Sequence, residues 1–231
     1  MGLFKTYDIR GIYGEELDEQ FAYNLGKCIV QFTKPASVVI GYDSRTSNLK
    51  LFSALAKSLT EQGIDVVHAG LVTRPMLNWV AYSTPFDLGI IISASHNPRE
   101  YNGFKLLWKG KPIGYENGLD IVEKMYADKI YEHSKHAKKN GKIISRDYID
   151  AYVEFLSRHF TKDAKKKRLK IVADASNGSA GEIIRRLFER NNFAYTPLFE
   201  EPDGNFPCHS PNPVDDHALI ILSLTVKKEK A

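Results

Sequence analysis

The residues with the clearest chemical potential lie between positions 92 and 105. Ile92-Ser93-Ala94-Ser95-His96-Asn97-Pro98 runs on to Tyr101-Asn102-Gly103-Phe104-Lys105. The segment leaves an apolar run, turns at Asn97-Pro98, turns again at Asn102-Gly103 and enters a second apolar run. A serine hydroxyl becomes a useful nucleophile when a neighbour takes its proton or when positive charge stabilises what it carries. His96 adjoins Ser95, and Lys105 stands where a returning strand can aim an ammonium at a phosphate. The same residues also make an ordinary polar connection, because Ser, Asn, Pro and Gly recur in turns for backbone reasons alone. From the residues by themselves both readings stand.

The elements that must hold this loop follow from hydrophobic periodicity. Phe21, Leu25, Cys28, Ile29 and Phe32 recur at helical spacing over 18–33, before Lys34-Pro35. Ser37 to Gly41 reads as a buried strand. Ser47 can cap a helix to about Gln62, with Leu51, Leu55 and Leu59 on one face and Gly63 as its stop. Ile64 to Val67 is the next strand, and Pro75 opens a helix in which Leu77, Trp79, Val80, Ala81 and Tyr82 are packing residues. Asp87–Ile92 and Phe104–Trp108 are two further strands. About a dozen residues separate them, too few for a parallel crossover, so the last strand should run antiparallel beside the third. Glu116 to Tyr131 reads as a helix.

Polar sequence from His133 to Gly141 marks a boundary, giving a first domain over 1–142 and a second over 143–231. In the second, Tyr148, Tyr152, Phe155 and Leu156 share a helix face. A strand covers 169–173, a helix 181–190, a strand 194–199, and a helix 216–228 with Leu219, Leu222 and Val226 in period. Strands alternating with helices predict a three-layer α/β/α sandwich with a mixed, mostly parallel sheet, then a second, incomplete α/β domain of similar type.

Composition narrows the functional classes. Hydrophobic residues make up 43% and charged residues 26%, which suits a globular chain. No apolar run approaches the roughly 18 residues of a membrane helix. No secretory leader is visible, and Gly2 with Thr6 meets only the minimal myristoylation pattern, so a cytoplasmic protein without membrane attachment is expected. Cys28 and Cys208 are too few and too far apart for a disulfide framework or metal motif. The net charge of +4 is concentrated in Lys135–Lys139 and Lys162–Lys170. Neither run is interleaved with aromatic residues, so solvated linker surface is expected rather than nucleic-acid binding.

Other polar residues take structural readings. Asp43 and Arg45 suit a buried pair. Cys208-His209 is a poor metal site, and His209 is expected to be structural. Asp174 with Ser176, Asn177 and Gly178 ends a strand, where turn chemistry and ligand binding are equally served. His68 is a core or rim residue, whereas His133, His136 and His159 face solvent.

Ser93-Ala94-Ser95-His96-Asn97-Pro98 with Asn102-Gly103-Phe104-Lys105 resembles the phosphoserine loop of the α-D-phosphohexomutases. Tyr7-Asp8-Ile9-Arg10-Gly11 is similar to that family's N-terminal active-site segment, and Gly41-Tyr42-Asp43-Ser44-Arg45 to its Gly-x-Asp-x-Arg strand end. Pro202-Asp203-Gly204-Asn205-Phe206-Pro207 through Pro211-Asn212-Pro213 resembles its second-domain signature. The four motifs stand in the family's order, and their form resembles the phosphomannomutase/phosphoglucomutase branch.

The resemblance implies a phosphoserine at Ser95 that exchanges phosphate with a hexose phosphate through a bound 1,6-bisphosphate, interconverting 1-phosphate and 6-phosphate sugars. It implies that His96 orients Ser95 or its phosphate, that Arg10 and Lys105 stabilise transferring charge or assist proton transfer, and that Tyr7 lines the sugar site. It also implies magnesium, bound in part through the phosphate on Ser95. The family's Asp-Gly-Asp-Gly-Asp metal loop does not occur in this sequence. The chain is therefore expected to be the N-terminal part of such an enzyme, inactive without a separate or missing C-terminal half. The alternatives are a non-catalytic sugar-phosphate-binding module and a truncated gene product.

Overall fold

The computed structural model describes residues 2–160 and 169–231. The stretch 162–168 of the second basic run lies outside the described residues. The chain divides into two compact units, one of residues up to 94 with 100–146, the other of 95–99 with 147–231.

The first unit is an α/β sandwich. Its elements are β1 (Ile9–Ile12), α1 (Glu19–Thr33), β2 (Ser37–Tyr42), α2 (Asn48–Glu61), β3 (Asp65–Leu71) and α3 (Arg74–Ser83). They continue with β4 (Leu88–Ile92), β5 (Tyr101–Trp108), β6 (Lys111–Ile113), α4 (Leu119–Ala127) and β7 (Ile143–Ser145). The sheet order is β1-β5-β4-β2-β3-β7, with β6 also paired to β5. β2, β3, β4 and β7 pair in parallel, and β5 pairs antiparallel to β1, β4 and β6. Every strand except β5 thus points the same way, and β5 is antiparallel to β4 as its short connection requires.

Alternation along the strands divides the core. Ile9, Val38, Ile40, Val66, Ile90, Ile92, Phe104 and Leu106 face α1, α2 and α4. Met76, Leu77, Val80 and Ala81 of α3 cover the opposite face. Asp18 caps α1 by accepting the Phe21 N–H at 2.7 Å, and Lys34 ends it in the left-handed region just before Pro35.

Several expectations are corrected. Asn102-Gly103 is not a turn: β5 begins at Tyr101, and Gly103 pairs with Arg10 on β1. Ser47 stands at the N-cap of α2 but, with helical φ and ψ, makes no side-chain capping bond; its Oγ accepts from Asn102 Nδ2 at 2.7 Å instead. The expected helix over 116–131 is broken into 3₁₀ turns around the shorter α4. Gly118, with φ at +143°, cannot continue a helix, and the Phe32 ring packs where a side chain would stand. Tyr82 is 81% exposed, because the buried stripe of α3 ends at Ala81 and the next residue turns outward. Ile143–Ser145, assigned to the second domain from sequence, form β7 at the β3 edge of the first unit's sheet.

The second unit contains α5 (Ile149–Ser157), β8 (Lys170–Asp174), α6 (Gly181–Arg190), β9 (Ala194–Leu198) and α7 (Asp216–Glu229). β8 and β9 pair in parallel. α5 is tied to α6 by Arg186 Nη1–Asp150 Oδ1 at 2.6 Å and by Asn191 Nδ2 donating to Ser157 Oγ at 2.9 Å. α7 rests on β8 with Ala218 buried, whereas Leu219, expected among its packed residues, is 47% exposed. No described helix is long and apolar enough to cross a membrane.

A Cβ at Gly103 would fall against the carbonyl oxygen of Ile9 and the Cα of Arg10, both backbone. Gly103→Ala should therefore push β1 from β5 and cost about 1–3 kcal/mol. Urea unfolding of the first unit measures this, and an unchanged midpoint would show that the strands can separate freely.

Candidate active site

The register of β1 on β5, with Ile9 opposite Phe104 and Arg10 opposite Gly103, brings Asp8 opposite Lys105. Asp8, Arg10 and Lys105 therefore share the sheet face turned away from the α1–α2 core. Asp8 Oδ2 accepts from Arg10 Nη2 at 2.5 Å and also from Lys105 Nζ. The Asp8 and Lys105 side chains are 4% and 7% exposed, while Arg10 reaches outward at 24%. One carboxylate between two cations leaves a positive charge in a poorly hydrated place, which suits an anion.

The titration behaviour has identifiable causes. Burial works to raise the Asp8 carboxyl, but hydrogen bonds and charge from Lys105 and Arg10 outweigh it and hold the group below the usual carboxylate range. Burial lowers the Lys105 amine, aided by the charges of Arg10 and Arg74, and the Asp8 hydrogen bond only partly offsets this. Lys105 thus holds its proton less firmly than a surface lysine, a property useful in proton transfer.

A second polar cluster anchors the start of β5. Arg45, buried, donates from its backbone N–H to Asp43 Oδ1 at 3.0 Å, from Nε to Asp43 Oδ2 at 3.2 Å and from Nη1 to the Tyr101 carbonyl at 2.8 Å. Asn48 Nδ2 donates to Asp43 Oδ1 at 2.7 Å, and its own Oδ1 accepts from Asn102 Nδ2 at 2.8 Å. Asp43 and Arg45 thus form the largely buried pair that their residue types suggested. Asn102 completes the cluster by accepting the Gly103 N–H at 2.8 Å.

Ser93 and Ser95 differ sharply. Ser93 is buried, and its N–H donates to the Gly103 carbonyl at 2.9 Å. Ser95 is exposed and lies in the left-handed region, with φ at +59°. That conformation costs a non-glycine residue about 1–2 kcal/mol, and such strain gathers at functional loops. Ser95 Oγ lies 3.4 Å from Nδ1 of the exposed His96. Tyr7, which precedes Asp8, is 75% exposed.

In the second unit His209 is buried between two acceptors, with Nε2 3.0 Å from Asp174 Oδ2 and Nδ1 2.8 Å from the Ser210 carbonyl. Asp174 Oδ1 also accepts the Ser176 N–H at 2.8 Å. This end-of-strand cluster is internally bonded, in keeping with a structural role for His209. His68 stacks on Phe52 with ring centroids 4.2 Å apart, a rim position in the first unit's core.

Asp8 and Asn102 are the residues that sequence reasoning undervalued. The alternation Asp8-x-Arg10 was a visible sign of two charges on one strand face. Nothing in the sequence showed that Lys105 would stand opposite. As for magnesium, Asp8 is held by two cations and Asp43 by Arg45 and Asn48, so these carboxylates do not fit a magnesium site. No group of three or more His, Cys, Asp or Glu placed to hold a metal occurs among the described residues.

Comparison with known proteins places these features in a family. The description "phosphoglucomutase/phosphomannomutase, alpha/beta/alpha domain I" matches residues 1–132, and domain II of the same family matches 146–231. The chain is 35% identical over 232 residues to a phosphomannomutase of Methanocaldococcus jannaschii, covering 98% of this chain and 49% of that protein. It is 34% identical over 235 residues to a phosphoglucomutase of Neisseria gonorrhoeae, covering 99% and 49%. The crystal structure of a phosphoglucomutase/phosphomannomutase family protein from Burkholderia thailandensis superposes with a TM-score of 0.86 at 32% identity, covering 99% of this chain and 50% of that one. The chain thus spans about half the length of the curated relatives it matches.

Asn102 is fully buried and serves Ser47, Asn48 and Gly103 at once. Asn102→Ala strands the Asn48 oxygen and the Gly103 N–H and should cost about 2–3 kcal/mol. Chemical denaturation checks this, and a loss below about 0.5 kcal/mol would mean that water replaces the amide.

Proposed function

This chain belongs to the phosphoglucomutase/phosphomannomutase family, and we propose that it supplies the phosphoserine-bearing part of a phosphohexomutase. The observation that carries the reading is Ser95 itself: an exposed serine held at positive φ beside a histidine, within a motif that resembles the family's phosphoserine loop. In the proposed reaction the bond between Ser95 Oγ and phosphorus breaks as a hydroxyl oxygen of a hexose phosphate bonds to phosphorus. The hydroxyl proton leaves and Ser95 Oγ regains one. The bound bisphosphate then presents its other phosphate, which returns to Ser95. The net result interconverts hexose 1-phosphate and hexose 6-phosphate, with mannose, glucose or both as the sugar.

Each residue's own surroundings support its role. Arg10 and Lys105 carry positive charge on a poorly hydrated sheet face and serve to stabilise charge on a transferring phosphoryl group. Lys105, with its loosened proton, also suits proton exchange with the sugar hydroxyl. His96 orients Ser95, and Tyr7 offers an exposed ring to a sugar. Magnesium and a hexose 1,6-bisphosphate belong to the proposal for a completed enzyme. Because Asp8 and Asp43 are already committed to cations and an amide, the chain by itself is proposed not to turn over.

The test supplies a polypeptide corresponding to the remaining half of a relative, with hexose 1,6-bisphosphate and magnesium, and maps phosphate by mass spectrometry. Phosphate is expected on Ser95, absent in Ser95→Ala and retained in Ser93→Ala. Phosphate on Ser93 would overturn the assignment. Turnover by the chain alone, above a Ser95→Ala blank, would overturn the need for a second half.

Lys105→Ala in the same completed system should lower kcat about 10²–10³-fold with a smaller effect on KM. A change confined to KM would make Lys105 a ground-state phosphate clamp.

A further inference from the structure

We propose that Asp8 is a positioning residue: its carboxylate, set opposite Lys105 by the β1–β5 register, keeps Lys105 charged and aims Lys105 and Arg10 together at an incoming phosphate. The proposal rests on the functional reading for the identity of the anion, a sugar phosphate, and not for the ion pairs themselves.

The first argument is charge in a place with little water. Lys105 is 7% exposed, and the charged groups facing it are Asp8 just before β1, Arg10 of β1 and Arg74 from the start of α3. Of these only Asp8 is negative. Without it, three cations would crowd a buried face and Lys105 would shed its proton first, since arginine holds its own far more tightly. A neutral amine neither attracts a phosphate dianion nor stabilises charge on it.

The second argument is geometry. A single oxygen, Asp8 Oδ2, takes the bonds of both cations, so the two nitrogens are drawn to one point. An ammonium has three N–H donors and a guanidinium five. Both groups thus have more donors than one carboxylate oxygen can take. The Asp8 carboxylate is itself an anion and only 4% exposed, so it directs the cations and does not bind a second anion. Asp8 thus differs from the groups proposed to touch phosphate, and its contribution runs through them.

The experiment follows the Lys105 amine in the full chain by carbon-13 NMR of ε-labelled lysine, with Lys105→Met identifying its signal. Inorganic sulfate, a dianion across the neutral range, is the probe. In the parent chain sulfate should shift the Lys105 signal. In Asp8→Asn the amine should titrate lower by about one pH unit or more. Sulfate affinity should then fall about tenfold at mildly alkaline pH and recover on acidification, as Lys105 regains its proton. Asp8→Glu, which keeps the charge, should restore most of the parental titration. A purely structural Asp8 would lower stability without moving the Lys105 titration, and that result would overturn the proposal. Tighter sulfate binding by folded Asp8→Asn would overturn it too, by making Asp8 a mere competitor for the cations. Should Asp8→Asn fail to fold, acid titration of the parent chain carries the test, because protonating the Asp8 carboxyl must shift the Lys105 signal; an unmoved signal defeats the idea. Failure to phosphorylate Ser95, with Lys105 still responding to Asp8 and sulfate, would sink the functional reading and leave this one standing.

Discussion

A lysine removed from water needs an anion, and Lys105 finds one on a different strand. The pairing exists only because β1 lies antiparallel to β5 in one register, with Asp8 opposite Lys105. A slip of one residue would turn Asp8 toward the apolar core and Ile9 toward the charged face. Both errors are costly, since Ile9 is fully buried and an unpaired buried charge costs several kcal/mol. Hydrophobic packing on one face and ion pairing on the other thus select the same register. Gly103 makes it reachable by leaving room for the backbone of Ile9 and Arg10.

The return arm of the Ser95 loop is fastened by the second polar cluster. Arg45 reaches the Tyr101 carbonyl, and Asn102 reaches Ser47 and Asn48 at the start of α2. These bonds lie three and four residues before Lys105 in the same strand. The position of Lys105 along the sheet therefore depends on contacts from α2 and the β2 end as much as on β1. Both clusters are buried, and in such surroundings a fully bonded polar network favours one arrangement over its neighbours.

Much of this was legible in the sequence because its signals were local. Helical periodicity marked α1, α2 and α6, and the short connection after β4 indicated an antiparallel β5. The four family-like motifs pointed to Ser95, Arg10 and Lys105. What could not be read was partnership across long sequence separations. Asn102-Gly103 carries turn chemistry in isolation, yet Ser47 and Asn48 claim the amide and the strand runs straight through. Ser47 looked like a helix cap for the same local reason, and the same distant residue took its hydroxyl. Asp8 read as one acid among many until the register showed what it faces. Tyr82 and Leu219 fitted helical periods loosely, and the period alone did not show where each buried stripe ends.

The left-handed turn at Ser95 has its own supports in the chain on either side. Before it, the Ser93 N–H is bonded to the Gly103 carbonyl; beyond it, the Glu100 carbonyl accepts the Tyr13 N–H at 2.8 Å. These two bonds fix where the connection leaves the sheet and where it returns, so few residues are left to reverse direction. A short connection with fixed ends has few conformations open to it, and a positive φ at one residue is a way to close it. The β1–β5–β4 ladder thus anchors both ends of the connection that carries the strain at Ser95. The fixed ends of this connection, and the burial and charge at Lys105, thus have a common origin in the pairing of three strands.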